Sequence, residues 1–324
     1  MQKYEKQIRQ SIRLNKGKLG IKEEIRTIKV SKLGVGENNL SMLAVVNGKN
    51  KLVFRIALRR YIEKNMKKEF EYLKIIPKDF GPTPLFFDRS KKILPRVYSV
   101  LIFIEGKHIN RWSDRHLRMH AKKLAELHRK RYPFCGTIYK KSKRFDLYKA
   151  ISKEFKEYMK DCPVLLNDPD IKLLVPKLKR YIKENNHLFT SLKRFSMLHS
   201  DPCLTNILFT KQGIRYIDWE WLSFGDNARD VTMLFDPYSA QPPWKIRLTG
   251  KRLNIYLNTY LKYMKDKTLK QRIDVWIAYL QCTDMLFFKW KLKVYAKEQS
   301  KDLSKKQYKK CLNMLLKSAK KRFI

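Results

Sequence analysis

Acidic residues are scarce in this chain: 30 Asp and Glu stand against 73 Lys and Arg, and the 324 residues carry a formal charge of +43. A field of that sign draws polyanions, whether nucleic acid, an anionic membrane face or a phosphorylated substrate. A lysine-rich bias that loads every solvated face is the plainer reading of the same number. Cysteine is also sparse. Cys135, Cys162, Cys203, Cys282 and Cys311 are odd in number, lie far apart, form no CxxC pair and have no His at zinc-ligand spacing, which argues against a disulfide framework and a structural metal and suits reduced thiols in the cytoplasm. Long apolar runs are missing: stretches such as Val100 to Ile104 are far too short to span a bilayer, and MQKYEKQIRQSIRLNKGK has no apolar signal core. Neither secretion nor a transmembrane helix is expected. Glycine and proline vanish between Lys251 and Ile324, so long helices are expected there. No internal repeat is visible.

What is present suffices for a large folded core, at 44% hydrophobic and 12% aromatic residues, in one large domain or two lobes. IKVSKLGVGENNLSMLAVV, from Ile28 to Val46, reads as a hairpin around Gly34-x-Gly36, and Asn47-Gly48 begins another turn. KLVFRIAL alternates as a strand, which puts Val53, Arg55 and Ala57 on one face and Leu52, Phe54 and Ile56 on the other. Arg55 is thereby directed toward a cleft rather than the core. YIEKNMKKEFEYLKII carries Phe70, Leu73 and Ile76 at helical spacing with Glu69 near that stripe, and Pro77 closes it. After Gly106 helical spacing takes over, as in SDRHLRMHAKKLAELHRK with Leu117, Ala121, Leu124 and His128 on one face. Both ends are Lys-rich and amphipathic; the last 24 residues hold eight Lys and one Arg against one Asp.

The stretch HSDPCLTNILFTKQGIRYIDWE, residues 199–220, concentrates small oxygen-bearing side chains. NILFT and IRYID read as two strands joined at Gln212-Gly213, so Asp201, Asn206 and Asp218 fall at strand ends, in loops where side chains can converge. Phosphoryl transfer needs such a set: one carboxylate to orient or deprotonate an attacking hydroxyl, and an Asn with a second Asp as hard oxygen ligands for Mg²⁺. Singly, a loop Asp or Asn is usually a turn or cap residue; the joint spacing carries the argument. Gly34-x-Gly36 lacks a third glycine and counts only because strand signals flank it. Trp219, Glu220 and Trp221 form either an aromatic, acidic acceptor pocket for a quaternary ammonium or amino sugar, or plain core.

H-x-D-x-x-x-x-N at His199, Asp201 and Asn206, then I-D-W-E at Ile217 to Glu220 and G-D-x-x-x-D at Gly225, Asp226 and Asp230, closely resemble the aminoglycoside phosphotransferase and choline kinase family. The resemblance continues upstream: GVGENN looks like the family's nucleotide loop, with Gly36 and Asn39 at matching places, Arg55 stands where the family has Lys or Arg, and Glu69 matches the glutamate that pairs with that base. LIFIEG, Leu101 to Gly106, resembles the hinge whose backbone holds adenine, which assigns Phe103 and Ile104 to the nucleotide. The resemblance implies an α+β, bilobal protein-kinase-like fold: a β-rich nucleotide-binding lobe over 1–105 with a basic helical extension over 1–24, and a mainly helical lobe over 106–324 with the catalytic loop, the acceptor site and a basic tail over 301–324. It implies ATP and Mg²⁺ as cofactors, Asp201 as catalytic base, Asn206 and Asp218 as metal ligands, His199 as a brace of the catalytic loop and Asp230 as its anchor.

The chain departs from the family where Ser200 replaces the usual Gly of H-G-D and where Pro202-Cys203 follow the base. Only 11 residues separate Asp218 from Asp230, which leaves no room for a peptide-docking activation segment and favours a small hydroxyl-bearing acceptor, choline- or ethanolamine-like, amino-sugar or sugar. Two other readings stay open: a nucleic-acid-binding protein on a kinase scaffold, and a kinase for an anionic glycolipid at a membrane surface.

Overall fold

The computed structural model describes residues 2–36, 38–60, 62–241, 244–298 and 304–324. Glu37 of the glycine-bearing loop, Met1 of the basic extension and residues 301–303 of the basic tail lie outside the described residues. The chain divides into two compact units, Met1–Lys107 with Leu208–Trp221, and His108–Ile207 with Leu222–Ile324.

The first unit begins with helix α1 (Gln2–Leu14), followed by strands β1 (Ile28–Val35), β2 (Asn39–Val46) and β3 (Asn50–Ala57), helix α2 (Ile62–Ile75), and strands β4 (Pro84–Asp88) and β5 (Tyr98–Ile102). The strands form one antiparallel sheet in the order β1-β2-β3-β5-β4. Alternation along β3 decides what each face does. Leu52, Phe54 and Ile56 join Met42, Ala44, Val100 and the α1 residues Ile8 and Ile12 in one buried cluster, where each fully buried aliphatic side chain contributes roughly 1.5–3 kcal/mol. The intervening residues point away from that cluster, and Arg55 is among them. The β1–β2 turn falls one step later than the sequence pattern indicates: Gly34 sits inside β1 at a bulge, and the Gly36 N–H donates to the Asn39 carbonyl at 3.0 Å. Between β2 and β3, Asn47 and Gly48 both have positive φ, 51° and 70°, the conformation that selects Asn-Gly in hairpins.

The hairpin Ile207–Thr210 and Gly213–Tyr216 lies largely with the first unit, to which residues 208–221 belong. Lys107 and Phe209 exchange both backbone hydrogen bonds at 2.9 Å, and the Tyr216 N–H donates to the Phe80 carbonyl at 2.7 Å. Such pairing joins positions a hundred residues apart and leaves no local trace in composition.

The second unit holds α3 (Asp114–Arg129), α4 (Leu147–Asp161), α5 (Pro169–Glu184), α6 (His187–Thr190), α7 (Ala228–Thr232), α8 (Gly250–Met264), α9 (Leu269–Glu298) and α10 (Lys305–Phe323). Its small sheet runs Arg131–Tyr132, Phe195–Leu198, Ser223–Gly225, Cys135–Gly136, Lys141–Ser142 in spatial order. With no Gly or Pro to break it, α9 extends over 30 residues, about 45 Å. The basic tail is the docked helix α10: Tyr308, Cys311, Leu312, Leu315 and Ala319 are buried, while Lys320 and the buried Lys289 of α9 share Asp170 at 2.8 and 2.9 Å. Its apolar face is therefore committed to the unit's own core. Among the described residues no helix is long and apolar enough to cross a membrane.

Gly81 shows how tightly the first unit is packed. A Cβ there would lie 2.3 Å from Ile76 Cδ1 and 2.7 Å from the indole Nε1 of Trp219, and that indole is held by a hydrogen bond to the Tyr216 carbonyl at 3.1 Å. Gly81→Ala is expected to cost about 2 kcal/mol by overpacking, read as a lowered urea midpoint; an unchanged midpoint would show that Trp219 moves freely.

Candidate active site

In the second unit the strand Phe195–Leu198 runs straight into His199, Ser200 and Asp201. His199 is fully buried. Its backbone N–H donates to Asp230 Oδ2 at 2.8 Å, and that of Ser200 donates to Asp230 Oδ1 at 2.9 Å. A third partner of this carboxylate is His128 of α3, whose Nε2 lies 3.2 Å from Oδ2 and whose Nδ1 lies 2.7 Å from the Tyr260 hydroxyl of α8; the tautomer that satisfies both puts the proton on Nε2. Burial alone would raise the Asp230 carboxyl, but the His128 hydrogen bond and the nearby basic groups outweigh it and hold the group below its ordinary value. Asp226, four residues earlier, accepts from Arg272 Nε at 2.9 Å and Trp276 Nε1 at 2.8 Å on α9. One motif thus ties its first Asp to the long helix and its second to the loop.

That loop presents Asp201. The Asp201 N–H donates to His199 Nδ1 at 3.3 Å, and Asn206 Nδ2 donates to the Asp201 carbonyl and to Asp201 Oδ2 at 3.0 and 2.9 Å. Asn206 ends a short 3₁₀ turn, Leu204–Asn206, and with its nitrogen so committed its Oδ1 is the end left to meet a cation. Ser200 adopts φ 70°, a conformation that costs a non-glycine residue roughly 1 kcal/mol, and its hydroxyl contacts that of Ser223 at 2.9 Å. Cys203 is buried, with Sγ 3.0 Å from Thr205 Oγ1, and burial pushes its thiol well up, so it is an inert neighbour rather than a nucleophile.

In the first unit Arg55 and Glu69 form an ion pair, and Arg55 Nη2 reaches Asp218 Oδ1 at 3.1 Å. With its amide oxygen turned to the guanidinium, Asn39 accepts from the same Nη2 at 3.0 Å. Burial would depress the Arg55 guanidinium, but Glu69 and Asp218 more than offset it and hold it above its ordinary value. Glu69, 3% exposed, also accepts from the Trp219 N–H at 3.3 Å, while burial works against Arg55 to push its carboxyl upward. Asp218 takes φ 66° and stays part-exposed. Gly36 closes the turn that delivers Asn39. At the hinge, the Phe103 N–H donates to the Lys51 carbonyl at 3.0 Å, so this donor is engaged within the sheet. A cleft of about 790 Å³ adjoins it, lined by Lys51, Phe103, Glu105, Gly106, Phe209 and Thr210 among others; Ile104 lies half-buried between two of them in the chain.

The three candidate acceptor residues separate. Trp219 is 0% exposed and belongs to the core of the first unit, Glu220 is half-buried with Asn38 Nδ2 at 3.5 Å, and Trp221 is 58% exposed. The Trp219 indole fills the space over Gly81.

Other residues were not foreseen. His128 sat in plain view on the apolar stripe of α3, where a histidine signals a buried polar contact. Asp236 and Tyr238 are buried and Asp284 half-buried in the second unit, with no motif to announce them. The Tyr238 hydroxyl donates to Asp284 Oδ2 at 2.7 Å, and Asp236 Oδ1 has no partner among the described residues. Burial pushes both carboxyls upward. Burial, followed by the charges of Asp284, Asp236 and Asp201, raises the Tyr238 phenol, which places this acidic cluster within electrostatic reach of Asp201. Rings of Trp244 and Phe288 pack on Tyr238 at 5.1 and 5.2 Å.

Asp230→Asn is expected to lose about 3 kcal/mol at neutral pH, since it breaks a buried charged contact. Because the folded carboxyl lies below its ordinary value near 3.8, the stabilisation is complete above that pH and is lost as pH falls through the folded value. Urea midpoints of wild type and variant should differ equally at pH 7 and 5 and converge below about 4; a constant difference down to acid would refute the ionised clamp.

A family model described as "Phosphotransferase enzyme family" matches residues 29–264. No curated protein matches. Among solved structures the chain is similar to APH(2'')-IIa in its ternary complex with streptomycin and ATP, at 16% identity over 96% of each chain with TM-score 0.61. It is similar to choline kinase from Cryptosporidium parvum Iowa II at 16% identity over 97% of this chain and 95% of that one, TM-score 0.60. Spectinomycin phosphotransferase APH(9)-Ia, complexed with ADP and spectinomycin, matches at 15% identity over 96% and 97%, TM-score 0.59. These likenesses establish a shared kinase-like fold, and the family match covers most of the chain, with the Asp230 clamp, the Asp201 loop and the Arg55 cluster all inside it: the protein belongs to the phosphotransferase enzyme family that this model describes and is a phosphotransferase.

Proposed function

We propose that the enzyme transfers the γ-phosphate of ATP to a hydroxyl of a small molecule carrying a cationic nitrogen, a protonated amine or a quaternary ammonium. The observation that carries the acceptor class is the cluster of buried Asp236 and Tyr238 with half-buried Asp284 and its aromatic walls, in the same unit as Asp201. A net charge of +43 repels a cation at long range, but exposed charges are screened beyond about 8–10 Å, so the carboxylates at hand decide. The neighbours point the same way: streptomycin, spectinomycin and choline are the compounds their descriptions name.

In this reading Asp201 accepts the proton of the acceptor hydroxyl as its oxygen bonds to Pγ, and the Pγ–O bond to ADP breaks with its electron pair leaving on ADP. His199 and Asn206 keep the carboxylate in place. Arg55, positioned by Glu69, serves the α and β phosphates; the Phe103 carbonyl and Ile104 backbone serve adenine; Gly36 and Asn39 border the phosphates. Among the described residues no group of three His, Cys, Asp or Glu forms a ready metal cage, which suits Mg²⁺, since that ion completes its shell with water and phosphate oxygens. Asn206 Oδ1 and Asp218 would supply the protein ligands, and the bound ion would neutralise charge on the β and γ phosphates. The rest of the rate comes from positioning.

Three outcomes test this. With Mg²⁺ and ATP, acceptors with a cationic nitrogen such as streptomycin, spectinomycin, choline and ethanolamine should be phosphorylated ahead of neutral sugars in an ADP-release assay; a preference for neutral or anionic acceptors would sink the cationic-acceptor reading. Asp201→Asn should lower kcat about 10²- to 10⁴-fold with ATP affinity unchanged by calorimetry, and near-normal turnover would remove Asp201 from the base role. Because the Asp284 carboxyl is raised, it ionises only as pH climbs past its elevated value, so KM for the cationic acceptor should fall with rising pH in wild type and stay flat in Asp284→Asn.

A further inference from the structure

The second unit carries a concavity whose charge has one sign. Between α3 and α8 lies a groove of about 620 Å³ lined by Arg115, Arg118 and Lys122 on one side and Asn258, Lys262 and Tyr263 on the other. Arg115, Arg118 and Lys122 follow helical spacing and form one stripe. No Asp or Glu lines the groove, and among the described residues none of its four cations makes an ion pair; Lys122 lies over the Tyr263 ring at 5.7 Å instead.

Elsewhere in the unit, two buried cations are each held by two carboxylates. Arg272 has Asp226 and Asp266, and Lys289 has Asp168 and Asp170. In the groove, four exposed cations converge on a concave surface whose lining holds no acidic residue, so the local potential favours an anion there. Its dimensions select the anion. From residue 115 to 122 the helix rises about 10 Å, and the volume is that of a small-molecule site. Two guanidinium forks suit bidentate contact with phosphate oxygens, the Asn258 amide adds a donor, and the Tyr263 ring adds a flat wall. None of these residues belongs to the proposed transfer chemistry.

We infer that the α3–α8 groove is a second, non-catalytic site for a compact ligand bearing two or more closely spaced phosphate groups. A soluble polyphosphorylated compound and a phosphorylated lipid headgroup share that chemistry.

The test titrates the full chain with inorganic tripolyphosphate by calorimetry at near-physiological salt, first saturating the protein with a non-hydrolysable ATP analogue and Mg²⁺ so that the nucleotide site does not contribute. Failure of the analogue to bind would count against the catalytic reading alone, because the groove readout is a comparison of variants. R118E/K122E should weaken tripolyphosphate binding at least tenfold, whereas K305E/K309E, the same charge change on exposed positions of α10, should weaken it less than about twofold. Both pairs should keep the wild-type melting temperature and acceptor turnover. Equal weakening in the two variants, or no measurable binding in wild type, would overturn the site and leave only the bulk field. Competition by vesicles containing phosphatidylinositol bisphosphate, absent with plain phosphatidylcholine vesicles and lost in R118E/K122E, would assign the headgroup source; its absence with tripolyphosphate binding retained would assign the soluble one. A uridine decamer that binds far more tightly than tripolyphosphate and is weakened equally by both variant pairs would overturn the compact-ligand inference in favour of an extended strand.

Discussion

A carboxylate taken wholly out of water fixes the second unit. Asp230 gathers two backbone N–H groups from the catalytic loop and one imidazole from α3, and through Tyr260 the same chain of bonds reaches α8. A buried charge tolerates few geometries: each donor that strays leaves an uncompensated anion in a low-dielectric interior. The loop bearing Asp201 is therefore held by the electrostatic penalty for letting go as well as by the buried Pro202, Cys203 and Leu204 beside it.

The first unit solves a related problem with the opposite sign. Arg55 points away from the apolar cluster under α1 because β3 alternates, and it is kept ionised by Glu69 and Asp218. Glu69 is in turn fastened by the Trp219 N–H. Arg55 and Asp218, both proposed to serve the nucleotide, are thus connected with Glu69 through one network, and the Trp219 indole is sealed over Gly81 next to it.

Much of this was legible in the residues. Alternation in KLVFRIAL gave the direction of Arg55, the helical stripe around Glu69 gave its partner's element, and the strand and turn signals put Asp201, Asn206 and Asp218 at strand ends, where they lie. What stayed hidden was non-local. The hairpin's membership of the first unit depends on Lys107 pairing with Phe209, and the acidic cluster joins Asp236 to Asp284 across 48 positions with nothing between them to suggest it. Trp219 could be read as pocket or core because one residue type serves both, and only packing against Ile76 and Gly81 decides. The groove between α3 and α8 likewise needs the helices brought side by side before scattered basic residues become a surface.

Ser200 carries a consequence for motion. In the left-handed conformation a glycine would be unstrained, yet the chain keeps a side chain there whose hydroxyl meets Ser223 on the adjoining strand. The turn before Asp201 is consequently fastened on both sides, by its backbone to Asp230 and by its hydroxyl to the sheet. Local fraying of that turn would have to break both attachments together, so its amides should exchange with solvent only through larger openings of the second unit, on the slow timescale of core segments rather than that of surface loops.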